Sequence, residues 1–321
     1  MDTGEEIRGG YKISSKMRNV WAIQLRMVQK LLDVCNRHHL KIWADGGTLL
    51  GLVREHGYIP WDDDIDMLMF RDDYDKLASI APQEFKSPFF FQNAFTDKNY
   101  FRGHSQLRYD GTAAILEIDI NQPFHQGIFI DIFVYDSIPD VKDSEWKRRL
   151  KTADRIFDSL FQYSYGIRIT SNLPKILYSP FNYINCKRNK PMDLYRRYED
   201  LFREYNTKSC QEIACPCFSR EIFKTSTKLK DWYRETIYLP FEDIKLPAPI
   251  DYDKVLRKQY GDDYMIPRKK RTMHGSFAAL DPYHSYTDYL PTLKEEYKKT
   301  RWKRFYKKII KKLFHIKLGV A

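Results

Sequence analysis

The chain has 321 residues, of which 43% are hydrophobic, 30% charged and 15% aromatic. That is a globular composition with enough ring area for a large core, and it excludes a disordered chain. Of the net charge of +11, +9 lies between Lys294 and Lys317, where eleven Lys/Arg face two Glu, so a near-neutral body carries a basic tail.

No run approaches the roughly 18 apolar residues that span a bilayer. The first twenty residues hold no apolar segment, which predicts no secretory leader. Five cysteines fit a reducing compartment better than a disulfide framework. Residues 1–10 are polar and read as a frayed terminus. From Ser15 to His39, Trp21, Leu25, Val28, Leu32 and Cys35 recur at steps of four and three and predict one apolar face of a long helix. Leu40–Ala44 reads as a strand entering the Asp45-Gly46-Gly47 turn. Thr48–Glu55 follows as a short helix, with Thr48 as its N-cap. Asp64–Phe70 reads as a strand and Asp72–Ile80 as a helix. Phe89–Gln92, Ser105–Tyr109, Ala113–Ile118 and Gly127–Tyr135 are further strand candidates. Helical patterns cover about 143–165, 192–205 and 252–260, with a Pro-, Asn-, Ser- and Tyr-rich connector over 166–190. Strands crowd the first 140 residues and helices the rest, which predicts an α+β catalytic half and a helical half.

The chemistry is concentrated in Gly46–Arg54 and Ile59–Met67. On a strand, Asp64 and Asp66 point to one face because side chains alternate. Paired carboxylates repel unless a cation sits between them, and a hard divalent ion such as Mg²⁺ suits them. Asp131, alone in the apolar run 127–135, is the candidate third carboxylate, since a lone charge there is costly unless it binds something. Gly46 and Gly47 allow close backbone approach, and the N–H groups that open the next helix attract phosphate. Thr48 can add a hydroxyl, and Arg54 a fork for phosphate or for a structural carboxylate. Taken singly these signals are weak: an acidic run is commonly a solvated turn, and Asp131 could pair with an arginine in the core. Their order along the chain is the stronger signal.

The string GGTLLGLVREHGYIPWDDDID (46–66) resembles the signature of the LicD family. The segment 106–112 resembles the family's K-[IL]-R-D-x-x-T, with departures at the first residue and at an inserted Tyr109. Residues 127–133 resemble its G-hh-hDIF strand, and 247–264 with His274 resemble its carboxyl-terminal box. The resemblance implies a nucleotidyltransferase (polymerase β-like) mixed sheet with flanking helices. It also implies transfer of a phospho-alcohol, typically phosphocholine, from a CDP-linked donor to a sugar of a surface glycan; the similar fukutin-related proteins transfer ribitol phosphate. On that carry-over Asp64, Asp66 and Asp131 are catalytic and hold Mg²⁺, with Mn²⁺ as its alternative. Gly46, Gly47, Thr48, Arg54, Arg108 and His274 bind substrate. Asp131 is also a candidate base for the acceptor hydroxyl.

The organisation expected is a catalytic core over 11–140, a mainly helical part over 141–290 completing the site, and a basic amphipathic tail over 291–321. In the tail, apolar Trp302, Phe305, Ile309 and Leu313 share a face among lysines, which predicts contact of residues 294–317 with an anionic membrane surface. The expected place is the cytoplasmic face of the membrane, beside a lipid-linked acceptor. Cys210, Cys215 and Cys217 lack paired C-x2-C spacing, so unligated thiols are favoured over zinc. Trp232, Tyr233, Tyr260 and Tyr264 are candidates for caging a quaternary ammonium. A glycosyltransferase with a DxD metal site is the competing enzyme, disfavoured because the motif comes only about twenty residues after the first strand. Nucleic-acid binding through the tail competes as a non-enzymatic role, against a near-neutral body with no recognisable module.

Overall fold

A computed structural model describes residues 3–139, 144–166, 190–217, 227–268 and 277–300, with single residues between 184 and 188. His274, residues 301–321 and most of the connector lie outside the described residues.

Two short strands, β1 (Glu6–Arg8) and β2 (Tyr11–Ile13), form a hairpin where a frayed end was expected. The reason is tertiary: the Arg8 guanidinium donates to Glu242 at 2.6 Å and to the Tyr58 carbonyl at 3.1 Å. Helix α1 (Ser15–Arg37) starts at Ser14, whose hydroxyl accepts the Met17 N–H. All five apolar residues read from its periodicity are buried. β3 (Trp43–Ala44) leads into α2 (Gly46–Arg54), then β4 (Asp66–Phe70) and α3 (Arg71–Glu84). β5 (Phe89–Gln92), β6 (Ser105–Tyr109), β7 (Ala113–Leu116) and the ten-residue β8 (Phe129–Ile138) follow. Beyond them come α4 (Ser144–Tyr165), α5 (Pro191–Arg203), β9 (Glu212–Ala214), β10 (Lys228–Leu229), β11 (Thr236–Phe241), β12 (Ile244–Pro249), α6 (Tyr252–Tyr260) and β13 (Phe277–Asp281). Residues 286–300 are helical.

The architecture is a mixed α+β fold. β4 and β8 run parallel at the centre of a seven-stranded sheet, with β3 antiparallel outside β4. β8 is long enough to pair β6 along its first half and β9 along its second, both antiparallel. The half after residue 140 is therefore less helical than its periodicity suggests. β9 and β10 extend the central sheet, β11 and β12 form a hairpin, and β13 pairs with β7. These strands are two to six residues long, too short to leave an alternation clear in sequence.

α1 lies against the sheet and holds the acidic loop. Trp21 stacks on Tyr58 with ring centroids 4.4 Å apart and donates its indole N–H to the Asp62 carbonyl at 3.1 Å. Gln24 donates to the carbonyls of Asp63, at 2.8 Å, and of Phe129, at 3.2 Å. The backbone at Asp62 and Asp63 is thus fixed from behind, while Asp62 and Asp64 line a cavity in front.

Candidate active site

Asp66 and Asp131 stand opposite one another in the β4–β8 register. The strand read from Asp64 begins only at Asp66, but the Asp131 N–H donates to the Ile65 carbonyl at 2.8 Å, so the pairing continues toward Asp64. Carboxylate oxygens of Asp64, Asp66 and Asp131 all lie within 4.8 Å of one another, and the same holds for Asp62, Asp63 and Asp64. Asp64 is 8% exposed and Asp131 2%. Three carboxylates this close, two of them buried and Asp66 half-buried, repel strongly, and hard oxygen donors are what a divalent cation takes. The donor set fits such an ion, and the cluster can hold a metal.

The glycine turn faces this cluster. Gly46 has φ +52°, the left-handed region, and a Cβ there would collide with the Asp66 carboxylate. A Cβ on Gly47 would come within 2.6 Å of Asp62 Oδ2. Two acidic side chains thus sit against the positive end of α2, where first-turn N–H groups have no intrahelical acceptor. The N-cap is Asp45 rather than Thr48. Thr48 is inside the first turn, 4% exposed, and its hydroxyl accepts the Asp66 N–H at 2.8 Å. It positions a cluster carboxylate from behind, and it does not line the cavity. Asp45 carries no cap bond; its carboxylate accepts from Lys228 and, at 2.8 Å, from the Tyr135 hydroxyl. Lys228 is 1% exposed. Nothing in the polar stretch around it marked it as a buried partner.

Arg108 departs most from its expected role. It is 2% exposed and donates to Gln92 Oε1 at 2.8 Å, to the Gly127 carbonyl at 2.7 Å and to Gln106 Oε1. Burial pulls its pKa down to about 10. A guanidinium that only donates forces Gln106 to present its oxygen inward, so the Gln106 amide N–H₂ points the other way and donates to Asp131 Oδ1 at 2.6 Å. Arg108 therefore acts on Asp131 through Gln106, not on substrate directly. His104 was missed in the sequence. Its Nε2 lies 3.3 Å from Asp131 Oδ1, and its Nδ1 is buried without a hydrogen-bond partner. The signal was present as polar residues at alternating positions 104, 106 and 108 on and just before β6, which a half-buried strand places on one face.

A cavity of about 640 Å³ opens on the cluster. Asp45, Gly46, Gly47, Arg54, Asp62, Asp64, Asp66 and Asp131 line one end. The Arg54 guanidinium is engaged by Glu55 at 2.7 Å and by the Tyr264 carbonyl at 3.2 Å, so it ties α2 to the segment after α6. Tyr260 reaches the acidic end. Burial and then the charges of Asp66, Asp45, Asp62 and Asp64 push its phenol upward, so it stays a neutral hydroxyl. Of the four rings considered for a cage, Tyr260 and Tyr264 line the cavity. Tyr233 packs edge-on against Trp43 and Phe70 at 5.2 and 5.5 Å, and Trp232 packs on the same core. Among the described residues no group of three metal-ligating side chains includes a cysteine. Cys215 and Cys217 bring their sulfurs to 3.0 Å of each other, without Cys210.

Comparison with known proteins agrees with this geometry. The family described as LicD/FKTN/FKRP, nucleotidyltransferase domain, matches residues 39–159, which include both central strands and all three clustered aspartates. The lipopolysaccharide cholinephosphotransferase LicD of Haemophilus influenzae is 24% identical over 256 residues, covering 78% of this chain and 92% of that protein. Uncharacterized proteins of Rickettsia prowazekii and Rickettsia typhi are 38% and 36% identical over 74 residues, 23% of this chain and 26% and 23% of theirs.

Proposed function

The chain carries a LicD/FKTN/FKRP nucleotidyltransferase domain over residues 39–159, and from that premise we propose that it transfers a phospho-alcohol, phosphocholine first, from a CDP-linked donor to a sugar of a surface glycan such as lipopolysaccharide. The observation that carries the reading is the in-register pair Asp66 and Asp131, joined by Asp64 and facing the Gly46-Gly47 turn. The Haemophilus relative's cholinephosphotransferase activity supplies the choice of alcohol.

In this reaction the acceptor hydroxyl attacks the β-phosphorus, the bond to the CMP oxygen breaks, and CMP leaves. Asp64, Asp66 and Asp131 would hold a divalent ion, Mg²⁺ or Mn²⁺, which would supply counter-charge for the donor phosphates, and Gln106 fixes the orientation of Asp131. The α2 amides at Gly46 and Gly47 bind phosphate oxygens, and Arg54 closes the wall beside them. Asp131 and His104 are the groups near enough to one another to share the proton released by the hydroxyl.

The deciding experiment screens CDP-alcohols and nucleotide-sugars with and without chelator. Metal-dependent release of CMP, with a phosphodiester found on the acceptor by mass spectrometry, is the expected result. Transfer of a sugar alone would overturn the reading in favour of a glycosyltransferase.

No helix among the described residues is long and apolar enough to cross a membrane. We place the protein at the cytoplasmic face of a membrane through the basic, amphipathic residues 294–317, where it meets a lipid-linked acceptor. The full chain should sediment with anionic liposomes at low salt, and a chain ending at Leu290 should stay in the supernatant.

A further inference from the structure

The cavity has a second end that phosphate and metal chemistry leaves unexplained. Phe157, Phe161 and Tyr165 recur at steps of four along α4, line this end, and are half-buried. Residues at that spacing share one helix face. Phe133 joins them from β8, two residues after Asp131. Side chains two apart on a strand point the same way, so Phe133 sits beside Asp131 on the cavity wall, about 6.6 Å along the strand. That offset suits a short alcohol whose phosphate is held at the carboxylate cluster.

Apart from His104, whose ring centroid lies 5.0 Å from that of Phe133 and whose Nδ1 has no hydrogen-bond partner, the polar groups at this end are engaged. Arg102 donates to Asp119, and the Tyr165 hydroxyl donates to the other oxygen of the same carboxylate at 2.9 Å. The ion pair is internally neutral. A polyol such as ribitol or glycerol would give up its water hydrogen bonds against these walls with little in return. A trimethylammonium group makes no hydrogen bonds, presents only methyl surface, and spreads its positive charge over it, which is what aromatic faces attract.

We propose that Phe133, Phe157 and Phe161 form a subsite for the quaternary ammonium of the transferred alcohol, and so set the choice of alcohol. The inference rests on the phospho-alcohol reading above. It places the cage on β8 and α4, away from the Trp232 and Tyr233 pair that serves the core.

The test compares CDP-choline with the isostere in which a tert-butyl group replaces trimethylammonium, matched in shape but uncharged. Wild-type protein should favour CDP-choline in kcat/KM by between about twofold and about thirtyfold, the range of one cation–π contact. Phe133→Leu and Phe161→Leu should each bring the two donors toward equality, through a higher KM for CDP-choline, while the isostere changes little. Tetramethylammonium should compete with CDP-choline on the wild-type protein, a measurement independent of whether any variant folds. A preference that survives in both folded variants, an absence of competition by tetramethylammonium, or a raised acceptor KM with the donor KM unchanged would each overturn the subsite and leave phospho-alcohol transfer standing. Release of CMP from another CDP-alcohol but none from CDP-choline would overturn the subsite together with the phosphocholine assignment.

Discussion

Asp131 and Asp136 lie on one strand, five residues apart, and face opposite sides of the sheet. Asp136 is 0% exposed and accepts two bonds from Arg71, at 2.8 and 2.7 Å, and one from Asn206 at 2.6 Å. Arg71 also reaches Glu199 on α5, so this carboxylate fastens α3 and α5 to the central strand. Asp131 is almost as dry, yet it meets two further carboxylates and the amide of Gln106. A buried carboxylate answered by a guanidinium is part of the scaffold. One brought against other carboxylates stores repulsion that folding alone has no use for, and a cation relieves it.

That contrast can be broken by experiment. Asp131→Asn and Asp66→Asn should each cut CMP release by at least about 10²- to 10³-fold, the usual cost of losing an electrostatic contact to the transition state. The thermal midpoint should hold or rise, because like-charge repulsion is relieved. Full turnover by either folded variant would remove the cluster from the reaction. Asp136→Asn should do the reverse. It leaves Arg71 buried with its main partner weakened, costs up to about 3–5 kcal/mol in urea titration, and spares turnover per folded molecule. Equal effects of the Asp131 and Asp136 substitutions on both readouts would erase the distinction.

Gln106→Leu sharpens it. Asp131 keeps its charge but loses the amide that orients it, so Mn²⁺ affinity should fall about 10- to 100-fold while the cluster remains. An unchanged affinity would make the Arg108–Gln106 chain a matter of packing only. The smallest effect concerns a third carboxylate, Asp281 on β13. Burial alone would raise its pKa, but the Tyr289 hydroxyl, the Tyr283 N–H and His284 more than offset this and bring it down to about 2 from 3.8. Its folded-state pKa is depressed, so its contribution is present above about pH 4 and lost as pH falls toward 2. The stability gap between wild type and Asp281→Asn should therefore shrink over that window in thermal melts. A gap independent of pH would show that Asp281 contributes no titrating interaction.

Much of this was legible in the amino-acid order. The apolar face of α1, the bounds of β5, β6 and α6, and the central strands around Asp66 and Asp131 follow from local rules of period and capping. The acidic cluster could be named because unlike surroundings, a charge in an apolar run, are visible without a fold. What the tertiary structure alone decided is which polar groups meet. Arg108 was a plausible substrate ligand until β5, β6 and the Gly127 carbonyl enclosed it, and Thr48 a plausible phosphate donor until folding buried it behind Asp66, out of the cavity lining. Lys228 and Asp45 are 183 positions apart and join only because β10 reaches the sheet through β9. The aromatic end of the cavity likewise needs α4 packed on α5, which itself lies against β8. Helical and strand periods arise between near neighbours and are written in sequence. Pairings across the chain depend on loop closure and packing, which no short window of residues encodes.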